Sequence, residues 1–124
     1  MTNLSPPSKE SARVHITRSD GGVRVTPTAD HHGVQPTRLH GGGADPTESL
    51  IATRSRFDPG ARVDSGPVTG ETLYVLLAGE LTMEFADREP SVLKVGDSAY
   101  LPRGAVRSIR AGRIGATLLV VRNP

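Results

Sequence analysis

Short apolar runs broken by glycine and proline are the feature that most limits the fold of this chain. From Leu50 onward, runs such as LIATRSRF, TLYVLLAG, LTMEF and ATLLVV are separated by Gly, Pro and Asp. Several runs alternate apolar and polar residues as half-buried strands do, and none follows the 3.6-residue period of a helix. With Gly 14 and Pro 10 in 124 residues, turn signals recur at short intervals. The pattern predicts an all-β sandwich or small barrel of about seven strands.

The length of the chain predicts one domain. At 124 residues it can bury a single core, and a barrel of this size gains from association, so we expect an oligomer. Residues 1–12 are polar and rich in Pro and Ser, which predicts a disordered or partner-draped N-terminal arm. Residues 13–124 then form the domain, with a barrel core at about 50–121.

Composition excludes several function classes. The formal charge is only +2, the arginines are scattered, and two Tyr and two Phe offer little for base stacking, so no nucleic-acid partner is expected. Because there is no cysteine, disulfides, thiolate metal sites and thiol catalysis are excluded. No apolar run reaches the roughly 18 residues of a membrane span, and the start MTNLSPPSKE does not have the pattern of a signal peptide. We therefore expect a cytoplasmic protein with no membrane partner.

Two glycine-bounded segments resemble the conserved motifs of the cupins. GDSAYLPRG, from Gly96 to Gly104, has the Gly-Asp start and Pro-x-Gly end of the second cupin motif. PGARVDSGPVTGETLYVLLAGE matches the glycine spacing of the first motif, with Gly60 and Gly79 at its ends. The resemblance covers about residues 33–121. It implies an all-β double-stranded β-helix, which is a jelly-roll barrel, and a homodimer in which the N-terminal segment pairs across the interface.

The residues that hold a metal in cupins are replaced in this sequence. Gly66 and Val68 stand at the histidine positions of the first motif, Thr72 at its glutamate position and Arg107 at the histidine position of the second. None supplies an imidazole or carboxylate, and an always-charged Arg repels a cation, so no metal and no cofactor is expected. An alternative metal set, His31, His32 and His40, lies before the main strands. We interpret these as solvent-facing loop histidines, because adjacent side chains on an extended chain point in opposite directions.

The cupin resemblance implies a small-molecule pocket inside the barrel. Side chains on the parity of the family's ligand positions should point inward, and the lining would be mostly apolar with a few polar groups. The predicted substrate-binding residues are Gly66, Val68, Thr72, Leu76, Ala105 and Ile109. In LIATRSRF, Ile51, Thr53, Ser55 and Phe57 form the expected inward face, which leaves Arg54 and Arg56 on the solvent side or at an oligomer interface.

Three residues are candidates for catalysis. Arg107 could replace the charge of the metal and bind a carboxylate, phosphate or enolate oxygen, although it could equally be a surface residue or be paired with Glu71. Glu71 could act as a general base if buried beside Arg107, and an exposed position is the alternative. Tyr74, on the inward parity, could donate a proton or orient a carbonyl, or it could be a core residue.

Two functions of different class fit this sequence. The first is a metal-independent isomerase, cyclase or epimerase acting on a small oxygenated or anionic metabolite, as some cupins are. The catalytic histidines of the sugar epimerases have no counterpart at the motif positions, which counts against that version. The second is a non-catalytic cupin that binds a small ligand or serves as a structural or sensor module, because a fold alone does not fix a function.

Overall fold

The computed structural model describes residues 14–124, which form an all-β domain. The arm predicted for residues 1–12 lies outside the described residues. In the described part the strands are β1 (Val23–Arg24), β2 (His31–His40), β3 (Ile51–Pro67), β4 (Glu71–Phe85), β5 (Ser91–Leu93), β6 (Ser98–Leu101) and β7 (Val106–Asn123). β1 is a two-residue strand at one edge of the sheet, and the segment 14–17 forms no strand. Within residues 14–124, no helix is long and apolar enough to cross a membrane.

All strand pairs are antiparallel and belong to one bent sheet. The order is β1-β2-β3-β7-β4-β5, and β6 pairs with β4. β7 is central, since it pairs with β3 along one edge and with β4 along the other. The sheet wraps around its own core as a jelly-roll barrel, so the predicted fold class is confirmed.

Three strands, β3, β4 and β7, are much longer than the apolar runs of the sequence indicated. Asp58-Pro59-Gly60 was expected to end a strand, but β3 continues to Pro67 with a register shift between Phe57 and Arg62. Gly79 was likewise expected to end a strand, but β4 continues to Phe85 with register shifts on both sides of that glycine. An irregularity of this kind bends a strand and increases its twist without ending it. Because of these bends, each long strand forms part of both sides of the barrel.

The core consists mainly of aliphatic side chains, as the composition predicted. Leu76, Leu81, Met83 and Leu118 are fully buried. Thr53, Ser55 and Phe57 are buried on the inward face of β3, and Arg56 between them is exposed on the opposite face, as the alternation predicted. Two of these inward residues carry hydroxyl groups, which is unusual for a sealed core and points to a polar cavity.

An exposed apolar patch is formed by Leu73 and Leu77 on β4 and by Tyr100 on the neighbouring β6. Their exposed fractions are 40%, 46% and 59%, and Leu73 pairs with Tyr100 on β6 and with Val121 on β7. We propose that a second copy of this chain buries this patch, because exposed apolar side chains grouped in this way mark interaction sites. Leu73→Glu should then shift the protein from dimer to monomer in analytical ultracentrifugation, while Val92→Glu, on the exposed face of β5, should leave the dimer intact. A monomeric wild type, or a dimeric Leu73→Glu variant, would contradict this expectation.

Candidate functional site

A cavity of about 400 Å³ opens inside the barrel. It lies among β2, β3, β4 and β7, and the segment before β2 forms part of its rim. The volume falls in the range of small-molecule sites. Its polar or charged lining residues are Thr26, Thr28, Asp30, His31, Arg38, Thr53, Ser55, Thr69, Thr72, Tyr74, Arg107 and Arg122, and Phe57, Val63, Val68, Ile109, Leu118 and Val120 are among the apolar ones.

Arg107 and Tyr74 meet in this cavity. The Arg107 Nε–H donates to the Tyr74 Oη at 3.0 Å, and Arg107 Nη1 donates to the carbonyl oxygen of Gly66 at 3.3 Å. Arg107 pairs with Phe85 near the end of β4, whereas Tyr74 lies near its start, so the bend of β4 brings the two side chains together. Tyr74 is only 3% exposed. Because its oxygen accepts from Arg107, its own hydroxyl proton remains able to bond a ligand.

Asp30 and His31 form a second polar pair at the cavity. His31 Nδ1 lies 2.9 Å from Asp30 Oδ1 and 2.9 Å from the hydroxyl oxygen of Thr28. The Thr28 hydroxyl also donates to Asp30 Oδ1. The hydrogen bond from Thr28, followed by that from His31, holds the pKa of Asp30 below its usual value. An ionised Asp30 favours the tautomer with the proton on Nδ1, which leaves the Nε2 lone pair of His31 free to accept a proton.

The sequence patterns did not reveal the role of this pair. His31 was expected to face solvent in a loop, but it begins β2, is half-buried and lines the cavity. The adjacent His32 points elsewhere, since its Nε2 lies 2.9 Å from Asp64 Oδ2. An Asp directly before a histidine was the available signal, but it does not by itself indicate which way the imidazole faces.

The predicted substrate-binding residues divide into two groups. Val68, Thr72 and Ile109 line the cavity. Thr72 donates its hydroxyl proton to the carbonyl oxygen of Gly70 at 2.8 Å, so toward a ligand its oxygen acts as an acceptor. Gly66 contributes its backbone carbonyl to Arg107 and does not itself line the cavity. The remaining two pack in the core and are absent from the lining, namely Leu76 and Ala105.

Glu71 does not belong to the cavity, contrary to the predicted role as a general base. It is exposed at the start of β4, and its Oε2 accepts a hydrogen bond from the Tyr100 hydroxyl at 2.7 Å. That bond raises the pKa of Tyr100. The physical reason is strand parity: Thr72 faces inward, so its neighbour faces outward. The alternative pairing of Arg107 with Glu71 is not formed either, because Arg107 bonds Tyr74 and Gly66.

The residues present do not fit the divalent metal that cupins commonly bind. Gly66, Val68, Thr72 and Arg107 occupy the ligand positions and supply no imidazole or carboxylate. Across residues 14–124, no three His, Asp or Glu side chains converge on a point where an ion could sit. The alternative histidine set is dispersed as well, because His32 bonds Asp64 and His40 Nδ1 lies 3.0 Å from the ring of His15.

Comparison with solved structures shows the cupin fold. An RmlC-like cupin from Shewanella frigidimarina superposes with a TM-score of 0.72 at 19% identity, covering 90% of this chain and 92% of that one. The chain therefore has the fold of the cupin superfamily. No protein-family model matches this cupin. The polyketide cyclase RemF from Streptomyces resistomycificus shares its fold with a TM-score of 0.76 at 16% identity, covering 90% of this cupin and 79% of the cyclase.

The chain belongs to the same family as a curated relative of higher identity. A β-D-galactosidase of Mycobacterium tuberculosis is 36% identical to this cupin over 111 residues, which cover 88% of this chain and 94% of the relative. The match therefore spans nearly the whole domain in both proteins. The cupin shares its fold with small-molecule enzymes, and the chemistry of its own pocket has to be argued from its own residues.

Proposed function

We propose that this cupin is an enzyme that moves a proton on a small oxygen-rich compound, in the manner of an isomerase, cyclase or epimerase. The observation that carries the proposal is that one cavity contains both a base, the His31 and Asp30 pair, and an acid, Tyr74 bound to Arg107. A base and an acid around one bound molecule are what general acid–base catalysis needs.

Each group has a distinct part in the proposed step. The Nε2 lone pair of His31 takes a proton from the carbon next to a carbonyl group, and the electrons of the broken C–H bond move onto the carbonyl oxygen. Arg107 stabilises the negative charge that develops on that oxygen. Tyr74 donates its hydroxyl proton to the resulting enolate and regains a proton from the solvent, and His31 releases to the solvent the proton that it took, which restores both groups. Asp30 holds the His31 ring in orientation and stabilises its protonated form. No step requires a metal.

Deuterium incorporation tests this proposal even while the product is unidentified. The protein is incubated in D2O with a panel of keto sugars, sugar acids and keto acids, and loss of C–H signals is followed by ¹H NMR. Tyr74→Phe should slow the exchange of a responding compound by about 100-fold or more, because it removes the proton donor and keeps the ring. Tyr100→Phe is the matched control, since that tyrosine is exposed and bonds Glu71. Equal exchange rates in the two variants would contradict the role of Tyr74.

Glycoside hydrolysis is a second candidate, supported by the name of the M. tuberculosis relative. Most glycosidases use two carboxylates flanking the bond, and Asp30 is the one carboxylate in the cavity lining of the described residues. Hydrolysis here would need Tyr74 as the nucleophile, a solution that sialidases use. Release of p-nitrophenol from p-nitrophenyl β-D-galactoside that depends on both Asp30 and Tyr74 would favour this candidate over the first.

A non-catalytic binding module is the remaining alternative. It predicts that compounds of the panel raise the melting temperature of the protein, while neither deuterium exchange nor hydrolysis exceeds the rate without protein. That combination of results would overturn the enzyme proposal and leave the cavity as a ligand-binding site.

A further inference from the structure

We propose that Arg38 and Arg122 form a binding site for an anionic group, a carboxylate or a phosphate, at the wall of the cavity away from Arg107. This inference rests on the proposed function. The substrate would carry this anionic group in addition to the carbon that exchanges its proton. The anion would lie between the guanidinium groups of these two arginines.

The sheet register places both arginines on the cavity side. Arg38 on β2 pairs with Thr53, which is buried and lines the cavity. Arg122 on β7 pairs with Ile51 on one side and with Thr72, also buried, on the other. The two arginines are separated by β3, and their partners on that strand are two residues apart, so their backbones are about 12 Å apart. Two long side chains projecting from this distance into one cavity can bind the same small anion.

The positive charge of these arginines has no partner among the described residues. Neither takes part in an ion pair within residues 14–124. Asp30, the carboxylate of the cavity lining, is already bonded to Thr28 and His31. Burial, followed by the charge of Arg122, lowers the pKa of Arg38. Two unpaired like charges that share a cavity favour the entry of an anion.

Arg38 also presents a donor without an acceptor. Its Nε–H is buried and has no hydrogen-bond partner within residues 14–124. Leaving a buried donor unpaired is unfavourable, and more so for a charged group. By contrast, Arg107 uses its Nε–H on Tyr74 and Nη1 on Gly66, and Arg122 donates from Nη1 to the Thr69 hydroxyl at 3.3 Å. A bound carboxylate or phosphate would give Arg38 the acceptor that the protein does not supply.

Titration with simple anions tests this site in the intact protein. Inorganic phosphate and malonate are added at constant ionic strength, and binding is followed by calorimetry and by the Nε–Hε NMR signals of the arginines. We expect saturable binding of at least one of the two anions, with a shift of the Arg38 signal, and the stronger binder indicates whether phosphate or carboxylate is preferred. Arg38→Gln and Arg122→Gln should each weaken binding by about tenfold or more, the effect of losing one charged hydrogen bond.

Two controls keep this outcome separate from that of the proposed function. Arg56→Gln, on the exposed outer face of β3, should leave anion binding unchanged. Tyr74→Phe should slow exchange by about 100-fold or more but retain anion binding. Absence of saturable binding, or equal binding by Arg38→Gln and wild type, would overturn the anion site. If a neutral compound still exchanged deuterium, the proposed function would stand without it.

Discussion

Gly79→Ala is expected to destabilise the barrel by more than about 4 kcal/mol, which is exceptional for the addition of one methyl group. Gly79 has a φ of 79°, where an alanine is strained. An added Cβ would also lie 2.1 Å from the carbonyl oxygen of Gly115 and 2.7 Å from the Cα of Ala116. Both contacts are with backbone atoms of β7, so they cannot be relieved by moving a side chain. The ladder between β4 and β7 would have to separate at the centre of the sheet.

Gly60→Ala is the matched control for this substitution. Gly60 has a similar φ of 73°, but nothing lies within 4 Å of its added Cβ. Only the backbone strain remains there, which is about 1–2 kcal/mol. Urea denaturation followed by circular dichroism should show a small shift in midpoint for Gly60→Ala and loss of the folded baseline for Gly79→Ala. Similar losses of unfolding free energy in both variants would mean that backbone conformation alone, without the close approach of β7, explains the requirement for glycine.

These two glycines also show why the strand lengths could not be predicted. Each indicates locally that the chain adopts a positive φ, and sequence reasoning treated both as strand ends. Whether the chain turns back or continues depends on its partner, and β7 continues alongside β4 past Gly79. The fold class follows from local patterns. The merging of short strands into β3, β4 and β7 depends on pairings between distant segments.

The candidate site could likewise be predicted from the sequence only in part. Strand parity within the two motifs was sufficient to predict that Val68, Thr72, Tyr74 and Arg107 lie on the cavity side, and all four line the cavity. Parity also explains why Glu71 does not line the cavity. Glu71 takes the exposed position given as its alternative, because β4 has no register shift there that would turn the side chain inward.

The cavity residues of β2 were missed because a bulge changes their parity. His31 pairs with Val63 and Val34 pairs with Phe57, and both partners are buried. Residues three apart face opposite sides of a regular strand. The register shift between His32 and Val34, with Gly33 at a φ of 74°, lets both His31 and Val34 face inward. No sequence pattern in ADHHGV indicates that shift, so the base of the proposed mechanism became visible only in the structure.

His31→Gln is expected to lower the rate of deuterium exchange by about 100- to 10,000-fold, the contribution of a positioned general base. The measurement uses the panel compound that wild-type protein exchanges fastest. Glutamine keeps a polar side chain of similar length but cannot take a proton from carbon at neutral pH. Asp30→Asn should also slow exchange, since it removes the charge that holds the proton on Nδ1 and so directs the lone pair of Nε2 to the substrate.

His32→Gln is the control that separates catalysis from folding. The two histidines are adjacent in β2, but His32 bonds Asp64 on the outer side. Loss of that contact should change stability slightly and exchange hardly at all, because exposed pairs contribute little. If His32→Gln slowed exchange as much as His31→Gln, the effect would come from disturbance of β2, and the base would have to be sought elsewhere in the cavity. If only His31→Gln slowed it, with melting temperature and anion binding retained, the imidazole at position 31 would be the group that takes the proton.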